Sequence, residues 1–445
     1  MLRFYKSLFI PQRFYFCLIG IVVLYVLAFF YDILMWPAFI ISLMLLAATF
    51  VDLVLLYSKR NPLQVLRILP ERLSNGDDNP AKIYITSKYP FQLKVSVIDE
   101  LPEQFQQRNF HIKGALQPNV QAMFRYVLKP TTRGEYEFGA VQCFLTTLLG
   151  LVERRVTTEA HHTVPCYPSY LQMKKYQLLA VSNKLNELGV KQVRKIGHSL
   201  EFEQIKEYVP GDDYRTVNWK ASSRRNNTLM VNNYTDERSQ PVYCIINSGR
   251  VMKMPFENMT LLDYAVNASL VVSSVALTRH DKAGLVTYGD KWINILPAER
   301  TNMQMNNILF RLYNLKTNFL ESDIEKMYIN VKTRIPNRSL LIYFTNYEAV
   351  SSMERDLPYL RMLNKNHLLL LVFFDNTELQ SLLSSKVETT EEAYSKIVAE
   401  KFSFEKKQIV KSLQQHGILS ILTSPQNLTI NTLNKYLEIK ARQLL

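Results

Sequence analysis

Two apolar runs near the start of the chain have the length of membrane-spanning helices. Residues 14–31 form a stretch without a charge, and an α-helix of that length is about 27 Å long, near the thickness of a bilayer's hydrocarbon core. Residues 33–51 are again uncharged, and apolar residues continue past Asp52 to Tyr57. Because neither run has a polar face, we favour a transmembrane helical hairpin in residues 1–60 over a buried hairpin of a soluble protein.

Basic residues flank both runs, whereas the short turn between them carries only Asp32. The flanking basic residues are Arg3, Lys6 and Arg13 before the first run and Lys59, Arg60 and Arg67 after the second. The positive-inside rule then predicts an inner-membrane protein with two spans and its soluble domains in the cytoplasm. No signal-peptide cleavage site follows either run, so the anchor is expected to be retained. Asp52 is either functional or, as we favour, reaches the lipid headgroups.

The pattern changes after the second run. Residues 61–165 contain short stretches in which apolar and polar residues alternate, such as 82–99, with glycine and proline between them. This period of two predicts a β-sandwich-like region. Residues 166–238 read as a connecting region that begins with a polar helix at 171–188.

The last part of the chain, residues 239–445, alternates helical segments with almost continuously apolar strands such as 241–249 and 339–346. Thr260 and Asp263 are spaced as a capping box at the start of the first long helix. Strands of this kind are typical of parallel sheets covered on both faces, so we predict a doubly wound α/β domain. Ligands of such sheets bind outside the carboxyl ends of the strands.

The composition adds little to this multidomain prediction. A net charge of +14 favours anionic neighbours without choosing among acidic proteins, lipid headgroups and nucleic acid. The four scattered cysteines have no zinc-ligand spacing and favour a reducing compartment. The adjacent His161 and His162 favour a surface loop over a metal site. The sequence contains no Walker loop, GxGxxG, GxSxG or HExxH motif, and no cofactor is predicted.

One stretch, EYVPGDDYRTVNWKASSRR at residues 207–225, combines adjacent carboxylates with several cations. Asp212 and Asp213 could bind a cation or act as an acid or base. They could instead pair internally with the neighbouring cations, with Trp219 packed beneath. The two acids argue against nucleic-acid binding, which favours bases interleaved with aromatics.

A second stretch, CIINSGRVM, ends the first predicted strand of the α/β domain. A von Willebrand factor A domain would carry Asp-x-Ser-x-Ser there and hold a divalent cation with its oxygens. The corresponding positions are Asn247, Gly249 and Val251, and Asn346 ends a later strand where a second acid is common. No carboxylate remains, so we predict a degenerate site that binds no metal.

The stretch EFEQIKEYVPGDDYRTVNWKASSRR also resembles the signature of a bacterial domain family of unknown function. The residues that match the pattern are Glu201, Phe202, Tyr208, Gly211, Asp212, Asp213, Arg215, Trp219 and Arg224, with the basic Lys220 and Arg225 beside them. Family members are typically membrane-anchored, contain a von Willebrand factor A-like domain and are encoded beside MoxR-type AAA+ ATPases. In this chain, TTLLGL replaces the family's DPFGL-like segment.

The resemblance implies partnership with a MoxR-type ATPase in chaperone-like or envelope-stress processes. The favoured hypothesis is therefore a non-enzymatic membrane-anchored adaptor, in which the signature is a rigid clasp and a docking face. The alternatives are a metal-dependent von Willebrand A module and, less favoured, an enzyme that uses Asp212 or Asp213.

Overall fold

A computed structural model describes residues 2–442 and 444, except for 108–109, 182–200, 211, 213, 225–227, 236–238, 258 and 377–388. The chain divides into two compact units, residues 1–167 and 168–445.

The first unit begins with helices and continues as β-structure. Its helices are α1 (Leu2–Ser7), α2 (Gln12–Phe30) and α3 (Met35–Tyr57). Its strands are β1 (Leu8–Phe9), β2 (Leu63–Ile68), β3 (Leu73–Ser74), β4 (Asn79–Ser87), β5 (Leu93–Asp99), β6 (Ile112–Leu116), β7 (Gln121–Leu128), β8 (Gly134–Phe138), β9 (Val141–Thr146), β10 (Glu153–Thr158) and β11 (His162–Tyr167).

Helices α2 and α3 are long and apolar enough to cross a membrane. They contact each other: Ala28 and Ala38 are buried, and the Tyr25 and Ser42 hydroxyls lie 3.2 Å apart. Small residues allow such close helix packing within a bilayer. The prediction of two membrane-length apolar helices is confirmed, and their insertion into a membrane stays a prediction.

The sequence suggested that the Asp52 side chain reaches the lipid headgroups, but in the structure this side chain is fully buried. Its carboxylate accepts hydrogen bonds from the Thr147 hydroxyl and from the backbone N–H groups of Leu151 and Val152, at 3.0 and 2.9 Å for the latter two. A buried carboxylate is stabilised by such donors. Asp52 therefore fixes the β9–β10 turn against α3.

The β-rich region predicted after the helices is confirmed. Its strands form sheets with the orders β1-β10-β9-β5-β6, β2-β4-β7 and β3-β11-β8. Alternate residues of β4 and β5 are buried, and they join one core with β8 and β9. Arg67, counted above as a flanking charge, is buried in this region, where its guanidinium pairs with Asp99 at 2.5 Å. It is therefore a packing residue and not an exposed topology signal.

The second unit contains a six-stranded sheet and helices on its two faces. Its strands are β12 (Glu201–Glu207), β13 (Met230–Thr235), β14 (Pro241–Asn247), β15 (Pro255–Phe256), β16 (Met259–Thr260), β17 (Lys282–Tyr288), β18 (Ile293–Glu299), β19 (Leu340–Phe344), β20 (Leu368–Phe374) and β21 (Leu419–Thr423). Its helices are α4 (Tyr170–Val181), α5 (Trp219–Ser222), α6 (Leu261–Thr278), α7 (Gln304–Tyr313), α8 (Ile324–Arg334), α9 (Val350–Asn366), α10 (Thr390–Gln415) and α11 (Leu428–Ala441).

The large sheet has the order β18-β17-β14-β19-β20-β21, and every neighbouring pair is parallel except β17 and β18. Alternate residues of β14 belong to different hydrophobic clusters: Cys244 lies in one and Tyr243 and Ile245 in the other. Both faces of the sheet are thus covered, which explains why its strands are apolar without alternation.

Helix α6 is also long and apolar enough to span a membrane, but 83% of its apolar window is buried inside this unit. Its first turn is capped by Thr260, whose hydroxyl accepts from the Asp263 N–H at 3.2 Å and donates to the Asp263 carboxylate at 2.7 Å. Burial against the sheet therefore explains its composition.

Candidate functional site

The family-like stretch folds as an antiparallel hairpin of β12 and β13 with an irregular connection. The strands pair from Glu201 with Thr235 to Glu207 with Met230. Beyond the strand ends, Tyr208 N–H donates to the Leu229 carbonyl and Asn218 N–H to the Met230 carbonyl, both at 2.8 Å. The connection is therefore held against β13 by its backbone.

Asp212 closes the turn that follows β12. Its carboxylate accepts from Lys206 Nζ at 2.9 Å and from the Val209 N–H at 3.1 Å. The hydrogen bond from Lys206, followed by that from Val209, lowers the pKa of Asp212. Each carboxylate oxygen accepts one of these hydrogen bonds, so the ionised form of Asp212 stabilises this turn.

A short helical turn, α5, lies on the other side of the connection and is fastened to β13. Asn218 caps it, accepting from the Ala221 N–H at 3.0 Å and donating to the Asn232 side chain at 2.8 Å. The Ser222 hydroxyl accepts from the Met230 N–H at 2.8 Å. These two polar residues fix both ends of the turn and hold its remaining side chains toward solvent.

The exposed side chains of α5 and of the rest of the connection are aromatic, apolar and basic. Trp219 is 73% exposed and Tyr214 72% exposed, and Val209 is also exposed. Lys220 and Arg224 are exposed as well. We call Val209, Tyr214, Trp219, Lys220 and Arg224 the hairpin patch. Large aromatic side chains and arginine are enriched where proteins bind one another.

This geometry corrects one sequence interpretation and leaves others open. Trp219 does not pack beneath the loop, and among the described side chains Asp212 pairs with Lys206, which precedes it in the chain. Gly211, Asp213 and Arg225 lie outside the described residues, as do the side chains of Glu201, Phe202 and Arg215. The description of the signature as a clasp and docking face stays a prediction.

Sequence reasoning missed the two residues that position the patch. Asn218 carried a signal that was available, because asparagine is a preferred helix N-cap and a helix-forming segment follows it. Ser222 carried none, because its partner is backbone of a strand eight residues later.

The second candidate region lies at the carboxyl ends of the parallel strands. Asn247 Oδ1 accepts from the Gly249 N–H at 2.8 Å, and Asn247 Nδ2 donates to Thr345 Oγ1 at 3.0 Å. A Cβ atom on Gly249 would lie 2.8 Å from Cβ of Ser322. Val251 lies in the short helical turn that follows. The space that a ligand serine would need at position 249 is therefore filled by a neighbouring side chain.

A lysine ammonium contacts the other asparagine of this region. Lys406, on α10, is only 8% exposed, and its Nζ donates to Asn346 Oδ1 at 3.0 Å and to the Phe374 carbonyl. Burial lowers the pKa of Lys406 to about 8, while the negative charges of Asp375 and Glu348 oppose the shift. The ammonium of Lys406 thus contacts the amide oxygen of Asn346, which the sequence analysis considered as a position of the degenerate metal site. Asn346 precedes Lys406 by 60 positions in the chain. The absence of magnesium binding stays a prediction.

Comparison with known proteins supports the resemblance to a family of unknown function. Residues 204–388, less than half of the chain, match the family model "Protein of unknown function DUF58". The chain is 29% identical over 250 residues to "Uncharacterized protein YeaD" of Bacillus subtilis (strain 168), a match that covers 54% of this chain and 59% of YeaD.

Two solved structures are similar in part. The VWA domain of SpRpn10 is 13% identical, with a TM-score of 0.25, and the match covers 43% of this chain and 92% of that domain. The CARDB domain of a Pyrococcus furiosus protein is 13% identical, with a TM-score of 0.17, and the match covers 23% of this chain and 86% of that domain.

Proposed function

We propose that this chain is a membrane-anchored adaptor without catalytic activity, in which the hairpin patch binds a partner protein. The patch carries the proposal: Trp219 is exposed although it lies in a helical turn, α5, that the hydrogen bonds of Asn218 and Ser222 hold in place, and Tyr214 is exposed in the same connection. An exposed aromatic side chain on a fixed turn fits a binding anchor better than a packing residue, because ordering the anchor costs little when the partner arrives.

The charges of the patch indicate what surface the partner presents. Lys220 and Arg224 are exposed, whereas the carboxylate of Asp212 in the same connection is already paired with Lys206. The patch therefore favours an acidic surface with an apolar pocket. The partner that the family resemblance implies is a MoxR-type AAA+ ATPase, and we propose it as the first to test.

The location proposed for this binding is the cytoplasmic face of the inner membrane, with α2 and α3 as the spans. The support is the length and apolar character of the two helices together with Arg13 before them and Lys59 and Arg60 after them. The von Willebrand A-like, doubly wound character of the second unit belongs to the same proposal, supported by its parallel sheet with two covered faces.

The two alternatives are less well supported by the contacts. An acid–base role for Asp212 would require a free carboxylate, whereas its two oxygens accept from Lys206 and from the Val209 N–H. A metal-dependent module would require ligand atoms at the strand ends, whereas Asn247 and Asn346 already accept hydrogen bonds through their amide oxygens.

The test measures binding of the detergent-solubilised full chain to a MoxR-type AAA+ ATPase. Trp219→Ala should weaken binding by about thirty-fold, the effect of losing a contact of about 2 kcal/mol, with an unchanged melting temperature. Lys220→Glu should weaken binding mainly at low salt, since exposed charges act through a screened field.

Phe310→Ala is the matched control, because Phe310 is an exposed aromatic residue on α7 of the same unit. It should bind like the unmodified chain. Equal binding by the Trp219→Ala variant and the unmodified chain would refute the docking role of the hairpin patch.

A further inference from the structure

A cavity of about 610 Å³ opens beside the start of α2, in the first unit. Residues 10–13 form one wall, and β5, β6 and the β9–β10 turn form the others. A volume of this size is typical of sites for small molecules or the polar part of larger ones. The cavity lies at the end of the helix proposed to enter the membrane, so its ligand would be met at the membrane surface.

The cavity is rich in positive charge. Arg13, Lys94 and Lys113 line it, and none of them forms an ion pair with another residue that the structure describes. The one acid in the lining, Glu153, has a pKa raised by burial, an effect that the charge of Lys113 opposes. Three cations against a single carboxyl leave the cavity attractive to an anion.

The β9–β10 turn, whose residues Thr147 and Gly150 line the cavity, also carries apolar side chains. Leu148 is 67% exposed and Leu149 is also exposed, although both are large and apolar. The turn is fastened to α3 through the buried Asp52, and a Cβ on Gly150 would lie 3.4 Å from Nη1 of Arg13. The exposed leucines, the cations and both apolar helices therefore belong to one fastened assembly.

We propose that this cavity binds the phosphate headgroup of an anionic phospholipid, with Leu148 and Leu149 lying among the adjacent acyl chains. The proposal rests on the proposed membrane anchoring. Lysine and arginine favour phosphate oxygens, and a basic pocket beside a spanning helix is a physical basis for recognising lipid headgroups. A soluble phosphate would use the cations, but it would leave the two exposed leucines in water, so the combination favours a lipid.

The experiment uses the full chain reconstituted into nanodiscs of equimolar phosphatidylglycerol and phosphatidylcholine. The chain is then extracted in detergent, and the lipids that it retains are counted by native mass spectrometry. Phosphatidylglycerol should be retained in preference to phosphatidylcholine. The double variant Lys94→Ser/Lys113→Ser should lower that preference by about thirty-fold, as each surface lysine strengthens anionic lipid binding several-fold.

The control is Lys88→Ser/Lys129→Ser, which removes the same charge from exposed lysines of the same unit outside the cavity lining. It should keep the preference. Arg13 is left unchanged because it also bears on the orientation of the first helix. Inorganic phosphate added at extraction should not displace the retained lipid from the unmodified chain.

Each other result overturns the proposal. Equal retention of the two lipids, or an equal loss in the two double variants, would mean that only diffuse charge acts. Displacement by inorganic phosphate would assign the cavity to a soluble anion. Failure to enter nanodiscs would refute the membrane anchoring itself, whereas normal reconstitution without lipid preference would refute only the lipid site.

Discussion

Lys406 makes a prediction that can be worked out from its surroundings. In the folded chain its ammonium is almost fully buried, and its pKa is lowered from the ordinary 10.5 to about 8. The difference corresponds to about 3 kcal/mol by which folding disfavours the charged form. Between about pH 8 and pH 10.5 the unfolded chain binds more protons than the folded chain, so the stability of the unit should rise with pH in that window.

The size of the effect follows from the two pKa values. From about pH 7 to about pH 9.5 the contribution of Lys406 to the free energy of unfolding should become about 2 kcal/mol more favourable. Lys406→Met removes this titration while keeping the length of the side chain. It also leaves Asn346 Oδ1 without its donor, which costs roughly 1–3 kcal/mol at every pH. The pH dependence of the difference between the two proteins therefore isolates the ammonium.

Pulse proteolysis in a urea series, on the full chain in detergent, measures this difference through a protected fragment that contains β14. The free energy of unfolding of the Lys406→Met variant, minus that of the unmodified chain, should fall by about 2 kcal/mol from about pH 7 to about pH 9.5. Lys407→Met, at the exposed neighbouring position, should show no such trend. A pH-independent difference for Lys406→Met would show that the ammonium is not held in a desolvated site.

Three further predictions concern other parts of the chain. Asp52→Asn should lower the stability of the first unit by roughly 1–3 kcal/mol, because one buried donor loses its acceptor; a thermal melt checks this, with the exposed Asp32→Asn as the control. Gly249→Ser should destabilise the second unit without creating a magnesium site. Tight magnesium binding to the variant or to the unmodified chain, measured by calorimetric titration, would contradict the prediction that this site binds no metal. Reporter fusions after Arg60 should be active only with a cytoplasmic reporter, so activity of a periplasmic reporter there would reverse the proposed topology.

The sequence predicts those parts of this fold that depend on local pattern. The two apolar runs became α2 and α3, and the apolar stretch at 241–249 became β14, because an uninterrupted apolar run is a local signal and its length separates a membrane-length helix from a buried strand. Helix α6 shows the limit of that reasoning. Its composition suits a membrane as well as a protein core, and only the surrounding strands distinguish the two.

The polar contacts that shape the candidate sites were not predictable for a different reason. Asp52 binds the backbone of residues almost one hundred positions later, and Lys406 reaches Asn346 across 60 positions. In sequence, Lys406 lies in the run Glu405-Lys406-Lys407, which resembles a solvated helix face. The packing of α10 against the sheet turns Lys406 inward, and no local sequence pattern indicates which of the two lysines is buried.

The lysine residues of the chain lie in three different environments in the structure. Lys406 is buried and contributes to the structure of the second unit, where its ammonium donates to the Asn346 amide oxygen and to the Phe374 carbonyl. Lys94 and Lys113 line a cavity that includes part of the leucine-bearing β9–β10 turn, and in the proposed lipid site their field would act on an anionic headgroup. Lys220 follows the exposed Trp219 on the hydrogen-bonded turn α5, where in the proposed docking role its charge would mainly raise the rate of association with the partner. High salt should therefore weaken partner binding through Lys220 far more than it weakens the buried contacts of Lys406, because screening acts on exposed charges.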